Sequence, residues 1–426
     1  MNDAPNLAET ATEWMRAAAA RAKAASGVLA TLPEASRNAA LRAAASAIRA
    51  RTAEIAAANA QDLAAFDASG GTPAFRDRLA LNPARIEAMA QGLDDIAALP
   101  DPLARTLAEW TRPNGLTIRR IPQPLGVIGM IYESRPNVGA DAAGLCLKAG
   151  NAVILRGGSD SRHSAAAIHA AVTEGLRAAG VPEAAVQIPP ASDRAYVAAM
   201  LAASGQIDLI IPRGGKSLVE RVQAEARVPV LAHAEGLCHT YVHEKADPAM
   251  ARRVLANAKM RRTGVCGATE VLLIDAAIAP SLLPDLVADL RALGCDFRAG
   301  PRARAIVADL PPTQQGDFDR EWLDAILTVA VVDDIDGALR HIRHHGSSHT
   351  DAIVTEDAEA AAKFLNSVDS AVAMWNASTQ FCDGGEFGFG AEIGIATGRM
   401  HARGPIGLEQ LTTFRYQVLG SGQVRP

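Results

Sequence analysis

Between residues 125 and 235 the chain alternates short, mainly apolar runs with stretches of helical length. The runs are Val127 to Tyr132, Ala152 to Leu155, Ala185 to Ile188 and Ile207 to Pro212, and 162–179 and 193–203 are two of the stretches between them. Strands that are apolar on successive residues, without polar alternation, are covered on both faces, and strands separated by a helix pair in parallel. This portion is therefore predicted to be a parallel α/β sheet with helices on both sides. A second block of the same style runs from about 236 to 385. A chain of 426 residues exceeds what one core usually organises, so two or three domains are expected.

Ahead of these blocks, 6–26 and 34–68 are alanine-rich with Leu and Ile at helical spacing, and Pro33-Glu34 and Gly70-Gly71 punctuate them as helix boundaries. Asn82-Pro83 has the order of an N-cap followed by a first-turn proline, which predicts a third helix over 82–98. These helices read as a scaffold without chemistry. From Glu109 to Pro122 the pattern changes to alternation about Asn114-Gly115, which predicts a β-hairpin turning on Asn-Gly.

A net charge of −5 gives no reason to expect nucleic acid or an anionic membrane as partner, and 4% aromatic residues are too few for a base-stacking surface. The first residues have neither a basic nor an apolar leader region, and no later stretch reaches membrane-spanning length without a charge, so a cytoplasmic location is expected. The five cysteines include no Cys-x-x-Cys pair and read as reduced thiols.

One of the five has the setting of a nucleophile. Cys266 lies between Gly264 and Gly267, which allow close backbone approach. Lys259, Arg261 and Arg262 precede it and would favour a thiolate, and Glu270 to Ile274 follows as a buried strand that would fix the thiol. On spacing alone the alternative is a small buried hydrophobe, which is what most free cysteines are.

The stretch Ala256 to Ile274, with Ala232-His233-Ala234-Glu235-Gly236 upstream and Phe387 to Gly394 downstream, resembles the aldehyde dehydrogenase superfamily. Gly126 to Val138, Ala152 to Ser159 and His401 to Pro405 carry the same likeness, which extends from about residue 120 to 416. The resemblance implies two three-layer parallel-sheet α/β domains and a small β oligomerisation flap. Residues 1–108 and 124–235 would form an NADP-binding domain and 236–385 a catalytic domain with Cys266. The flap would comprise 109–123 and 396–426, and the chain would be a homo-oligomer.

The activity implied is NADPH-dependent reduction of a small-molecule acyl phosphate, L-glutamyl 5-phosphate, to L-glutamate 5-semialdehyde with release of phosphate, through a thioacyl-enzyme on Cys266. Glutamate 5-kinase is then a candidate partner. Asn137 is implied as an oxyanion donor beside the Cys266 backbone N–H, although the loop Glu133 to Val138 is shorter than its superfamily counterpart. The runner-up is a hydrolytic or CoA-acylating aldehyde dehydrogenase on another small acid, and Cys266, Glu321 and Arg156 together argue against a non-catalytic scaffold. Position 233 separates the enzymes. Aldehyde dehydrogenases that oxidise to acids carry a glutamate there, as general base for the hydrolytic water, and this chain has His233. Without that base water is a poor second nucleophile, whereas phosphate attacks a thioester without being deprotonated. The neighbouring Glu235 is the alternative base.

The dinucleotide fingerprint Gly-x-Gly-x-x-Gly is absent, as it is from its usual place in the resembled superfamily. Leu155-Arg156-Gly157-Gly158-Ser159 instead follows a strand and precedes a helix, where backbone N–H groups favour an anion. Arg156 and Ser159 are candidates for the 2′-phosphate of NADP(H), with Gly157 and Gly158 between them. The alternative is a plain turn with an exposed arginine. Arg213-Gly214-Gly215-Lys216-Ser217 ends another strand, and its Gly-Lys-Ser tail is not a phosphate loop because position 210 is Ile where that motif needs glycine. The resemblance implies that this turn faces the cofactor and that Glu321 holds the nicotinamide ribose. His341, His344, His345 and His349 have helix-face spacings that suit a metal, but only Asp351 could complete a shell nearby, so no metal is expected. The resemblance puts His349 and Asp351 beside the active site, with Ser378, Thr379 and Arg403 as further substrate contacts.

Overall fold

The computed structural model describes residues 7–70 and 72–425. The chain divides into two compact units, the first Met1–Ala232 with Gly388–Gly394 and Ile406–Pro426, the second His233–Phe387 with Ile395–Pro405.

Unit 1 opens on α1 (Leu7–Leu29), α2 (Glu34–Ala50), α3 (Thr52–Ala68), α4 (Pro73–Leu79) and α5 (Pro83–Ala98). The single helix predicted over 34–68 is two helices, divided at Arg51, whose ψ of 18° leaves helical geometry. The alanine-rich spacing continues on both sides of that break, so periodicity does not reveal it. Asn82 caps α5 by accepting the Arg85 N–H, with Pro83 in the first turn, as the residue order predicts. The scaffold also has a polar task. On α3 the buried Asp62 carboxylate accepts the His163 and Ser164 backbone N–H groups at 3.1 and 2.8 Å.

β1 (Ala108–Thr111) and β2 (Thr117–Pro124) form the expected hairpin. Its loop is 112–116, closed by the Arg112 N–H on the Leu116 carbonyl at 2.8 Å, and not a two-residue Asn-Gly turn. A turn of that kind needs positive φ at both central residues, and here Gly115 has it, at 84°, while Asn114 does not.

β3 (Val127–Tyr132), β4 (Ala152–Arg156), β5 (Val186–Gln187) and β6 (Leu209–Arg213) make a parallel sheet in the order β5-β4-β3-β6. The helices α6 (Val138–Lys148), α7 (Arg162–Ala178) and α8 (Arg194–Leu201) connect them, and α9 (Lys216–Glu225) follows. Every residue of β3 and β4 is buried, which is why the sequence shows apolar runs there and not alternation.

Unit 2 contains β7 (Cys238–Val242), α10 (Pro248–Met260), β8 (Thr269–Asp275), α11 (Ala279–Ala292), β9 (Asp296–Ala299), α12 (Pro301–Ile306), β10 (Ile326–Val332), α13 (Ile335–His345), β11 (Thr350–Val354), α14 (Ala358–Ser367), β12 (Val372–Trp375), β13 (Ile395–Ala396) and β14 (Gly404–Pro405). Six of the strands form a parallel sheet, β12-β11-β7-β8-β10-β9. Successive side chains of the central β8 point to opposite faces. Leu272 and Ile274 pack with Leu255 of α10 and Leu283 and Leu286 of α11, while Val271 and Leu273 pack with Leu339 of α13 and Phe364 of α14. This two-sided burial fixes the strand that emerges from the Cys266 loop.

In unit 1, β15 (Thr412–Leu419) runs antiparallel along β2, giving a three-stranded sheet β1-β2-β15 that exposes Trp110, Phe414, Tyr416 and Val418. Of the residues expected to join it, 396–405 lie in unit 2, where β13 and β14 pair with each other. Among the described residues no helix is long and apolar enough to cross a membrane.

Candidate active site

Cys266 sits in the loop between α10 and β8, partly buried against Ala352, Val372, Met374, Cys382 and Ile395. The loop is held from the side by Gly236. A Cβ there would overlap the Cys266 carbonyl oxygen and lie 2.6 Å from the Cys266 Cα, so this approach admits no side chain. The Gly236 N–H donates to Glu321 Oε1 at 3.0 Å, and the Cys238 thiol donates to the Cys266 carbonyl at 3.1 Å. Glu321, expected on a cofactor ribose, is thus bonded to the segment that locks the cysteine loop.

Lys259, expected to favour the thiolate, has a carboxylate partner. Lys259 Nζ is wholly buried and paired with Glu270 Oε2 at 2.6 Å, with both side chains at 0% exposure. A buried ammonium needs a partner, and this one spends its charge inside unit 2. Arg261 Nη1 donates to Gln380 Oε1 at 3.3 Å.

What flanks the thiol is imidazole. Cys266, His233 and His349 each offer a ligand atom, and these atoms all lie within 4.8 Å of one another. His233 Nδ1 lies 2.9 Å from the Ile395 carbonyl. A carbonyl can only accept, so Nδ1 carries the proton and Nε2 the lone pair in neutral His233. His349 is fully buried, with Nδ1 3.0 Å from Thr350 Oγ1 and 3.5 Å from Cys238 Sγ, and its Nε2 has no hydrogen-bond partner. Burial, reinforced by His233, pulls His349 down to about 3, which keeps it neutral near pH 7. The other thiols are poorer nucleophiles: Cys382 is buried, and burial raises Cys146 and Cys238 far above the ordinary range and Cys295 to about 12.

The remaining candidates in unit 2 are tied internally. Asp351 Oδ1 accepts the His239 N–H at 2.9 Å and faces His239 Nδ1 at 2.8 Å, while its Oδ2 accepts from the Ser370 hydroxyl. Ser378 Oγ accepts the Gln380 N–H at 3.3 Å, and Thr379 Oγ1 bonds Thr269 Oγ1 at 3.0 Å. Arg403 donates to the Thr397 carbonyl at 3.1 Å and to Asp369 Oδ1 at 3.2 Å. On α13, His345 Nδ1 lies 2.7 Å from Asp319, and burial pulls His341 down to about 3.

In unit 1 the His163 and Ser164 N–H groups at the start of α7 are taken by Asp62, and a short 3-10 turn, Ser159–Ser161, precedes the helix. The Ser134 hydroxyl donates to Asp160 in that turn. Arg156 is not the exposed arginine of a plain turn: it is 8% exposed, donates to the Ser192 carbonyl at 2.6 Å, and has a buried Nε without a hydrogen-bond partner. Beside it an apolar slot is lined by Tyr132, Leu155, Ala165, Ile168, Val186 and Ile188, and a Cβ at Gly157 would come 3.1 Å from the Tyr132 ring. The unpartnered guanidinium N–H of Arg156 is a donor that suits a phosphate or sugar oxygen. After β6, the Gly215 N–H is taken by Glu133 Oε2 at 3.1 Å, and Lys216 Nζ lies 3.9 Å from Glu220. Asn137, just before α6, donates its side-chain amide to Asp141 Oδ2 at 3.0 Å, and burial raises that carboxyl to about 6.

The profile of the aldehyde dehydrogenase family matches residues 5–304. This chain belongs to that family. Aldehyde dehydrogenases use nicotinamide dinucleotides. Gamma-glutamyl phosphate reductase of Acidiphilium cryptum is 73% identical over 412 residues, covering 97% of each chain. The protein of that name from Gluconobacter oxydans is 70% identical over 407 residues, covering 96% of this chain and 95% of the relative. A crystal structure of gamma-glutamyl phosphate reductase from Thermotoga maritima superposes with a TM-score of 0.95 at 41% identity, covering 97% of this chain and all of that one.

Within this aldehyde dehydrogenase fold, sequence reasoning passed over Gly236, Cys238, the Lys259–Glu270 pair, Asp62 and Glu133. Cys238 begins β7 opposite Thr269 of β8, and His349 directly precedes β11. Their meeting at Cys266 depends on the strand order β11-β7-β8, which no spacing along the chain encodes.

Proposed function

We propose that this chain reduces L-glutamyl 5-phosphate to L-glutamate 5-semialdehyde with NADPH and releases phosphate, the second step of proline biosynthesis, in the cytoplasm. The observation that carries the reading is the likeness, 73% identical over 97% of both chains, to a gamma-glutamyl phosphate reductase. Glutamate 5-kinase supplies the acyl phosphate.

Cys266 gives up its proton to His233 Nε2, whose basicity is supported by the Nδ1–H bond to the Ile395 carbonyl. The thiolate forms a C–S bond to the γ-carbonyl as the bond to phosphate breaks, leaving a thioacyl-enzyme and inorganic phosphate. The Cys266 backbone N–H, and Asn137 through the amide hydrogen not given to Asp141, stabilise the oxyanion. A bound dinucleotide supplies the hydride that reduces the thioacyl carbon. Collapse of the resulting thiohemiacetal returns the thiolate, and the aldehyde leaves. Arg156, with its buried unpartnered Nε, and Ser159 would hold the 2′-phosphate. His349, Asp351, Ser378, Thr379 and Arg403 would contact or support the substrate.

The test couples kinase-generated acyl phosphate to the enzyme and follows NADPH oxidation and phosphate release together. Equal amounts of both are expected, with turnover lost in folded Cys266→Ser; a Cys266→Ser protein that still turns over would refute the nucleophile. In the same assay Arg156→Ala should raise KM for NADPH by about tenfold to a hundredfold while that for NADH stays nearly level, the loss of one charge-assisted contact. Equal losses with both cofactors would make Arg156 structural.

A further inference from the structure

The cluster at Cys266 has the chemistry of a metal site as well as of a nucleophile. Among the described residues, Cys266, His233 and His349 are the group whose ligand atoms come close enough together to hold an ion. The motif that first suggests metal, the histidines on and after α13, shares only His349 with it. Sulfur and two imidazole nitrogens are donors for a borderline-soft divalent cation, and a tetrahedral zinc shell has bonds of about 2.0–2.3 Å, hence donor separations on the order of 3.5 Å. The ligand atoms here lie within 4.8 Å of one another, so binding would draw them together.

The two imidazoles are held in ligating form. The Ile395 carbonyl fixes the proton of neutral His233 on Nδ1, the arrangement that orients a metal-binding histidine. For His349, the Cys238 S–H is given to the Cys266 carbonyl, so the tautomer that serves every neighbour donates Nδ1–H toward Thr350 and Cys238. That tautomer leaves a lone pair on Nε2, a fully buried atom with no hydrogen-bond partner.

We propose that Cys266, His233 and His349 bind one thiophilic divalent cation of the zinc class, with water in the fourth position, and that its binding reversibly silences the thiol. The metal–sulfur bond forms as the S–H proton leaves to solvent, and no electrons are transferred. Binding does not depend on the proposed reaction; inhibition rests on Cys266 being its nucleophile.

The experiment titrates chelator-stripped full-length protein with Zn2+ by calorimetry and with Co2+ by absorption spectroscopy. One ion per chain is expected, with a thiolate-to-cobalt charge-transfer band in the near ultraviolet. That band should vanish in Cys266→Ser, and affinity should fall by more than about tenfold in His233→Ala and in His349→Ala. Far-ultraviolet circular dichroism checks folding, and His233, only half-buried, carries the test if the buried His349→Ala does not fold. No band, or unchanged affinity in Cys266→Ser and His233→Ala, overturns the site. An occupied site with unimpaired turnover would overturn instead the assignment of Cys266 as nucleophile, so failures of the two claims are distinguishable.

Discussion

A single hydrogen atom in place of a side chain decides how closely Gly236 approaches Cys266. Gly236→Ala must move either its own segment, bonded to Glu321, or the cysteine loop. The expected outcome is a large fall in kcat/KM and a changed rate of Cys266 alkylation by iodoacetamide, with the fold retained by circular dichroism. Wild-type alkylation and turnover in Gly236→Ala would show that the loop is not held there. At this scale the sequence was legible where a residue's local setting is its role: Cys266 stood out by its glycines, and Asn82-Pro83 as a cap. It was misleading where the partner lies far along the chain. Lys259 read as a charge for the thiol, yet it pairs with Glu270 across the loop that carries Cys266.

At the scale of elements, that pair joins α10, β8 and the segment after the Glu321 position, because Glu270 Oε1 also accepts the Leu323 N–H at 3.2 Å. Burial raises the Glu270 carboxyl to about 7 despite the ammonium beside it, so each charge depends on the other. Removing one partner strands a buried charge. Lys259→Met is predicted to lower unfolding stability by about 3–5 kcal/mol, and the double variant Lys259→Met with Glu270→Leu by clearly less. Denaturant unfolding checks both, and additive losses would contradict the coupling. The elements themselves were legible from apolar runs and caps, since two-sided burial leaves a direct imprint on β3, β4 and β8. The break at Arg51 and the length of the 112–116 loop were not, because alanine-rich spacing and an Asn-Gly pair are compatible with more than one backbone path.

For the whole molecule, the exposed Trp110, Phe414, Tyr416 and Val418 on the β1-β2-β15 sheet are where the homo-oligomer implied by the resemblance would form, since so apolar a sheet face costs stability in water. Tyr416→Asp with Val418→Asp is predicted to lower the mass found by light scattering, and an unchanged mass would exclude this sheet as the interface. Which nucleophile receives the acyl group separates a reductase from a hydrolytic enzyme. The resemblance puts His233 where acid-producing aldehyde dehydrogenases carry a glutamate, and an imidazole that has taken the Cys266 proton has no lone pair for a water, so the thioacyl-enzyme should wait for phosphate and not yield to water. The direct measurement supplies glutamate semialdehyde and NADP+ with and without phosphate or arsenate and follows NADPH formation. The account predicts sustained formation only when one of the anions is present. Multiple turnovers to glutamate without either anion would contradict it and make the enzyme a hydrolytic aldehyde dehydrogenase.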